Sequence, residues 1–350
     1  MARIGVNALY LIPGGVGGTE IYLRSLLAAL SKIDSSNEYW IFTNRETGRD
    51  LVPEQPNFYW KPQPVRATIR PWRLLWEQTG LVWAARHLDV LFNPGFTAPA
   101  FSFCPCVTVF HDLQHKRFPQ HFRWFDLPFW NLFLWIAVKR SRALIAVSEA
   151  TRQDLRRYYG ADSTVVYHGV DPMFQTRAAD RVHQGYILCV STLHPHKNLE
   201  RLLQVYANTP KLPHLVIAGM KGFAAKRIEE LAGDHVRITG WLPRDELYRL
   251  FRGARAFVYP SSFEGFGIPV LEAMAAGVPV ACSDIPPLRE IAGDTVIYFD
   301  PDDAVAMSEA LRRVVEDGSR VDAAGARAAE FSWERCARET LAVLCETMRL

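Results

Sequence analysis

The chain has 350 residues, 49% of them hydrophobic and 22% charged, with a net charge of +3. That length suggests about two domains, each able to bury its own core. The composition excludes a disordered, collagen-like or disulfide-stapled chain, and so small a charge gives no sign of nucleic-acid binding.

Short apolar runs alternate with helix-period segments, the pattern of repeated β-α units on parallel sheets. Arg3–Leu9 reads as a strand, followed by a Gly-rich turn and a helix over Glu20–Ser31 with Ile21, Leu23, Leu26, Leu27 and Leu30 on one face. Trp40–Thr43, Val90–Phe92, Cys106–His111 and Ala143–Val147 read as strands. Ser148 is placed to cap a helix over Glu149–Tyr159 that Gly160 ends. A second series follows: strands at Tyr186–Ser191, Leu215–Ala218, Val236–Thr239, Ala256–Tyr259 and Val278–Cys282. Its helices are expected at Asn198–Ala207, Ala224–Leu231, Arg244–Arg252, Pro269–Ala276 and Pro287–Ile291. The expected division is an α/β N-terminal lobe over 1–170, a linker of mixed polarity over 171–184, a second lobe over 185–330 and a terminal helix over 331–350. Both lobes are expected to be Rossmann-like, with ligands at the carboxyl ends of their strands.

The six cysteines are scattered, and Cys104-Pro-Cys106 lacks the second pair a metal site needs, so free buried thiols and no metal are expected. The N-terminus has no leader pattern, and the longest apolar stretch, Phe125–Val138, is broken by Asp126, Pro128 and Asn131. A cytoplasmic chain that does not cross a membrane is the expectation.

Four segments carry chemistry. In Pro260–Pro279, the breakers Gly265, Gly267 and Pro269 force Glu264 onto a loop, while Pro269 starts a helix with Glu272 in its first turn. Loop amides and a helix N-terminus suit a phosphate, and two carboxylates beside an anion suit hydroxyls, as of a sugar. A plain turn with solvated glutamates is the alternative. In Val190–Arg201, Lys197 stands just before a helix at a strand end, as a point charge for phosphate. Pro13–Glu20 is a Gly-rich loop without the dinucleotide spacing, so no nicotinamide cofactor is expected, though backbone amides at Gly17 and Gly18 can approach a ligand closely. His111, followed by Asp112, ends a buried strand; a satisfied structural histidine is the bland reading.

These motifs, in this order, resemble the retaining glycosyltransferases of family 4, the group 1 glycosyltransferases with the GT-B fold, over nearly the whole chain. The resemblance implies two Rossmann-like lobes facing across a cleft, a C-terminal helix crossing back to the first lobe, and metal-independent transfer of a hexose from a GDP- or UDP-hexose donor. It places Glu264 against the donor sugar, Glu272 on the ribose and Lys197 on the diphosphate. The amides of Phe266, Gly267 and Ile268 would serve the sugar, those of Val270 and Leu271 the diphosphate, and Gly240 and Trp241 the base, with Gly265 also counted among the substrate-binding residues. Gly17 and Gly18 would face the donor diphosphate and the acceptor from the first lobe, and His111, a catalytic residue by the same resemblance, the acceptor. Ser191 stands where the family has Gly, His196 where it has Arg, and His168 where it has Asn; the cation count at the diphosphate is thereby lowered or made pH-dependent through His196. Within the group the likeness is to bacterial mannosyltransferases of polysaccharide and lipopolysaccharide assembly, which implies a glycan or lipid-linked glycan acceptor. A nucleotide-sugar epimerase of the same fold and a non-catalytic partner in a glycan-assembly complex are the competing readings.

The charge is unevenly spread. Residues 61–142 hold 11 basic and 4 acidic side chains, and with Trp60 they contain seven of the ten tryptophans. Basic heads among Trp and Leu suit an anionic membrane surface, which makes peripheral attachment an expectation. Packing of the same aromatics in the core is the alternative.

Overall fold

The computed structural model describes residues 1–175 and 184–349. The chain divides into two units, one formed by Met1–Gly169 with Trp333–Leu350 and one by Val170–Ser332.

In the first unit, strands β1 (Arg3–Ala8), β2 (Glu38–Thr43), β3 (Phe58–Pro62), β4 (Val90–Asn93), β5 (Cys106–Phe110), β6 (Ala143–Ala146) and β7 (Thr164–Val165) form one parallel sheet. Its order is β3-β2-β1-β4-β5-β6-β7, so the winding reverses between β1 and β4. The helices are α1 (Gly18–Ile33), α2 (Arg70–Gln78), α3 (Gly80–Ala84), α4 (Gln114–Arg117), α5 (Leu127–Arg140) and α6 (Glu149–Tyr159). The central strands are apolar on both faces because helices cover both. Ile4, Val6, Val107, Val109 and Ile145 are inaccessible to solvent. The Ser148 hydroxyl accepts from the Thr151 amide, and Gly160 ends α6 in the left-handed region, as the residue types dictate.

In the second unit, β8 (Tyr186–Val190), β9 (His214–Ala218), β10 (Val236–Gly240), β11 (Ala254–Tyr259), β12 (Val280–Ser283) and β13 (Ile297–Phe299) form a parallel sheet in the order β10-β9-β8-β11-β12-β13. Here the reversal falls between β8 and β11. Its helices are α7 (Leu199–Ala207), α8 (Ala225–Leu231), α9 (Arg244–Gly253), α10 (Ile268–Ala275), α11 (Pro286–Ala292), α12 (Ala304–Glu316) and α13 (Val321–Ala328). Leu202, Leu215, Ile217, Val258, Met307 and Leu311 form the centre of its core. The last helix, α14 (Trp333–Arg349), packs along α1 of the first unit, burying Cys336, Ala337 and Leu344.

Both units are thus Rossmann-like. Of the expected linker over 171–184, residues 176–183 lie outside the described residues. The part before them is well anchored: Asp171 caps a single 3-10 turn and Phe174 is fully buried. The cysteines are all free thiols, five of them buried.

Candidate active site

In the second unit, the loops after β8 and β11 leave the sheet side by side at the winding reversal, where doubly wound sheets open a crevice for ligands. They are stitched together at one atom. The His196 carbonyl accepts from the Ser262 amide (2.8 Å), the Ser262 hydroxyl (3.0 Å) and the Ser261 hydroxyl (3.2 Å). That joint brings Lys197, on a short turn ahead of α7, against Glu264. Lys197 Nζ lies 2.5 Å from Glu264 Oε1 and donates to the Tyr259 hydroxyl at 3.1 Å. The two charged side chains are only 13% and 11% exposed. Burial, with Glu264 nearby, pushes the Tyr259 phenol well above its usual pKa, so it stays neutral. The His196 imidazole stacks on His194, 5.9 Å between ring centroids.

The loop Glu264–Gly267 turns into α10 through Gly267, at φ 111, where an added Cβ would lie 2.5 Å from a Leu288 methyl. Only glycine fits there. The Val270 and Leu271 amides donate to the Gly267 carbonyl at 3.0 and 3.3 Å, so the helix's own first turn occupies them. The mouth of α10 is therefore formed by Gly265, Phe266, Gly267 and Ile268, with Phe266 and Ile268 nearly buried. Glu272 lies deeper in α10 than a solvated glutamate would, 2% exposed, and its Oε1 accepts from Arg244 Nη1 at 2.6 Å. Burial pushes the Glu272 carboxyl above its usual range and Arg244 pulls it back. Gly240 ends β10 at φ 76, its carbonyl accepting from the Gly219 amide at 2.9 Å, and Trp241 beyond it is exposed.

In the first unit, the Gly-rich loop joins β1 to α1. Gly17, at φ 60 and ψ −129, is a conformation reserved for glycine, and Gly18 begins the helix. Glu20 holds the loop: its Oε2 accepts from the Gly14 amide at 2.7 Å and its Oε1 from Arg24 at 2.8 Å. His111 follows β5 and is 7% exposed, its Nε2 on the Pro94 carbonyl at 2.8 Å. A carbonyl only accepts, so Nε2 carries the proton and Nδ1 the lone pair. The ring meets Tyr22 and Phe96 edge-on at 4.9 and 5.2 Å and lies 5.5 Å from His168. Burial lowers the His111 pKa to about 4, which leaves a neutral imidazole at neutral pH. Phe96 holds φ 70, a strained backbone for an aromatic residue at a strand end facing a candidate site histidine. Asp112 accepts from the Gln114 amide at 2.9 Å, which shapes the loop after His111.

Lys197, Glu264, His196 and the α10 mouth thus gather at one sheet end, and Gly17, Gly18 and His111 at the other sheet's. Sequence reasoning missed Tyr259, Ser261, Arg244 and Glu20. Arg244 left one trace, a basic residue at the first position of a helix, where the dipole favours acid. Among the described residues, no three His, Cys, Asp or Glu side chains converge as metal ligands.

The chain matches the family description "Glycosyltransferase Family 4" over residues 16–174 and "Glycosyl transferases group 1" over 176–331. It is 31% identical over 302 residues to the O-antigen chain mannosyltransferase B of Escherichia coli, covering 78% of each chain. It is 28% identical over 218 residues to the O-antigen chain mannosyltransferase RfbU of Salmonella typhimurium, covering 59% of this chain and 60% of that protein. Among solved structures, the Anabaena protein HepE in complex with UDP and glucose superimposes with a TM-score of 0.78 at 18% identity, over 99% of this chain and 100% of that one. Two parallel Rossmann-like lobes with these neighbours are the GT-B architecture, and the chain belongs to the group 1 glycosyltransferases of family 4.

Proposed function

We propose that the protein transfers a hexose, mannose by the names of its relatives, from a nucleotide-diphospho-sugar to a hydroxyl of a glycan or lipid-linked glycan, with retention at the anomeric carbon. The observation that carries this reading is the Lys197–Glu264 pair at the β8/β11 reversal, beside the mouth of α10. A cation and a helix N-terminus there can hold a diphosphate leaving group, and a carboxylate beside them can accept from sugar hydroxyls. Neutral His111, with a lone pair on Nδ1, and the Gly17–Gly18 amides would hydrogen-bond the sugar or acceptor hydroxyls. In the reaction the acceptor oxygen bonds to the anomeric carbon and the bond from that carbon to the phosphate oxygen breaks. The bonding pair leaves with the diphosphate, which takes the hydroxyl proton on the same face. Lys197 and the helix end supply the positive charge, so no divalent ion is required.

A lipid-linked acceptor would bring the first lobe to a membrane, and the surface of that lobe favours this. Trp72, Leu75, Trp83, Trp124, Phe129, Leu132 and Trp135 are each more than half exposed. No helix among the described residues is long and apolar enough to span a bilayer, so attachment would be peripheral.

The test is a thermal-shift screen against UDP- and GDP-hexoses, followed by transfer assays with and without chelator. A stabilising donor that yields a glycoside of retained configuration supports the reading. Turnover of the donor to an epimer without acceptor would instead assign an epimerase, and no stabilisation by any donor would favour the non-catalytic partner.

A further inference from the structure

Arg244 occupies a position that local rules disfavour. It opens α9 from the first helical position, so its charge faces the positive end of the helix dipole. Something must offset that cost, and three contacts do. Nη1 donates to the buried Glu272 at 2.6 Å, Nη2 faces Asp171 Oδ2 at 3.7 Å, and the guanidinium lies over the Phe174 ring, 4.7 Å from its centroid. Phe174 is itself immobilised, fully buried and met edge-on by Tyr248 and Phe251 from α9. The guanidinium plane is therefore set from below, and one fork is aimed at a single carboxylate oxygen.

We propose that Arg244 is the positioning residue of the donor site: it holds Glu272 ionised and turned so that its second oxygen can accept from the ribose hydroxyls of the nucleotide. This rests on Glu272 being the ribose acceptor. Glu272 is nearly excluded from water, and a carboxyl so placed tends to keep its proton unless a cation is bonded to it. A protonated Glu272 would spend one oxygen as a donor and lose its orientation. The groups that face it are Arg244 from α9, Asp171 from the segment before Phe174, which raises its pKa further, and the neutral Tyr259 phenol of β11. Arg244 is therefore the contact that supplies positive charge to it. Asp171, more than a third exposed, holds the second fork of the guanidinium without competing for the first.

The experiment measures UDP and GDP binding by calorimetry between pH 6 and 9 for the wild type, Arg244→Met, Arg244→Lys, Glu272→Gln and the double variant Arg244→Met/Glu272→Gln. Arg244→Met should weaken the better nucleotide about tenfold or more at pH 7, and the deficit should shrink as pH rises and Glu272 ionises unaided. Arg244→Lys should recover most of the loss. Glu272→Gln should lose a comparable factor with no pH dependence, and the double variant should bind no worse than Glu272→Gln, because Arg244 acts through that carboxylate. Equal losses from Arg244→Met with Glu272 present and absent would overturn the proposal. Wild-type affinity in Glu272→Gln would instead remove the ribose reading on which it stands. Should Arg244→Met fail to fold, Arg244→Lys against Glu272→Gln still decides: a pH-independent loss in Arg244→Lys as large as that in Glu272→Gln contradicts it.

Discussion

If Lys197 is to hold a diphosphate, it must give up a carboxylate 2.5 Å away. The pair is mostly withdrawn from water, where opposite charges attract strongly and pay heavily for isolation. A diphosphate would offer Lys197 a larger negative charge, and the sugar's hydroxyls would offer Glu264 donors, so each group has a replacement partner in the proposed donor. Two consequences separate binding from chemistry. Glu264→Gln frees Lys197, so UDP or GDP should bind several-fold more tightly, while kcat falls about 100-fold from the lost transition-state contact. Calorimetry and steady-state kinetics check both, and wild-type turnover by Glu264→Gln would refute its catalytic role. The buried histidines make a second prediction at this scale. His111 and His115 are each lowered to about 4 and His168 is lowered well below its usual value, in each case chiefly by burial. Below the ordinary pKa of 6.5 an unfolded histidine takes a proton that the folded one refuses, so stability rises with pH between about 4 and 6.5 and is lost on acidification through that window. For His111 alone the loss at pH 5 is about 2 kcal/mol. Melting at pH 7 and pH 5 should show the fall, and replacing His111 by Gln should reduce it.

At the scale of elements, what was legible in the sequence was what local chemistry decides. Ser148 and Gly160 bracket α6 because a hydroxyl cap and a left-handed stop need no tertiary context. The Glu264 loop was legible because Gly265, Gly267 and Pro269 break any helix through it. What went unread had its signal diluted by context. Strand β3 carries exposed Tyr59 and Trp60 on a sheet edge, so it shows no buried run. In α5, Leu134, Ala137 and Val138 face the core while Phe129, Leu132 and Trp135 face outward, so an apolar outer face erased the helical period. Arg244, Tyr259 and Ser261 join the site through contacts between segments 28 to 65 residues apart, which no single window displays. The amides of Val270 and Leu271 were hard to judge for the opposite reason, since the exact start of a helix decides which amides its first turn consumes. Gly267 is the hinge of that start. Gly267→Ala combines a disfavoured φ with a Cβ driven into Leu288 at 2.5 Å, and should cost about 2–4 kcal/mol and most donor affinity. Gly160→Ala, also at positive φ but with open space around it, is the control: it should cost about 1 kcal/mol and leave donor binding intact.

For the whole molecule the open matter is where the first lobe works, and the tryptophan-rich stretch bears on it directly. Its aromatics split. Trp76 and Trp130 are half-buried, with Trp76 donating to Gln63 at 3.1 Å, and Arg73 is buried against Glu77 at 3.1 Å, so these three serve the fold and offer nothing to a surface. Trp72 and Leu75 of α2, Trp124 ahead of α5, and Phe129, Leu132 and Trp135 of α5 point outward. The Arg70 guanidinium over the Trp130 ring, 5.2 Å from its centroid, ties the start of α2 to α5. Large apolar side chains gathered this way are uncommon on a surface that meets only water. In the same stretch Arg66, Arg70, Arg123, Lys139, Arg140 and Arg142 are exposed, a combination that would suit an anionic interface. At roughly 1 kcal/mol per basic residue such an attraction would be reversible and fall with salt. Co-sedimentation should therefore show binding to vesicles rich in anionic lipid at low salt, little binding to neutral ones, and release at high salt. Trp124→Ala/Trp135→Ala should weaken sedimentation at every salt concentration, because the rings contribute through burial. Lys139→Gln/Arg140→Gln should weaken it chiefly at low salt, where charge matters. Both pairs belong to the first unit and neither includes a residue assigned to the donor site, so transfer to a water-soluble acceptor should stay at the wild-type rate in both. Equal sedimentation with neutral and anionic vesicles, unchanged by either pair, would show that this face meets something other than a membrane.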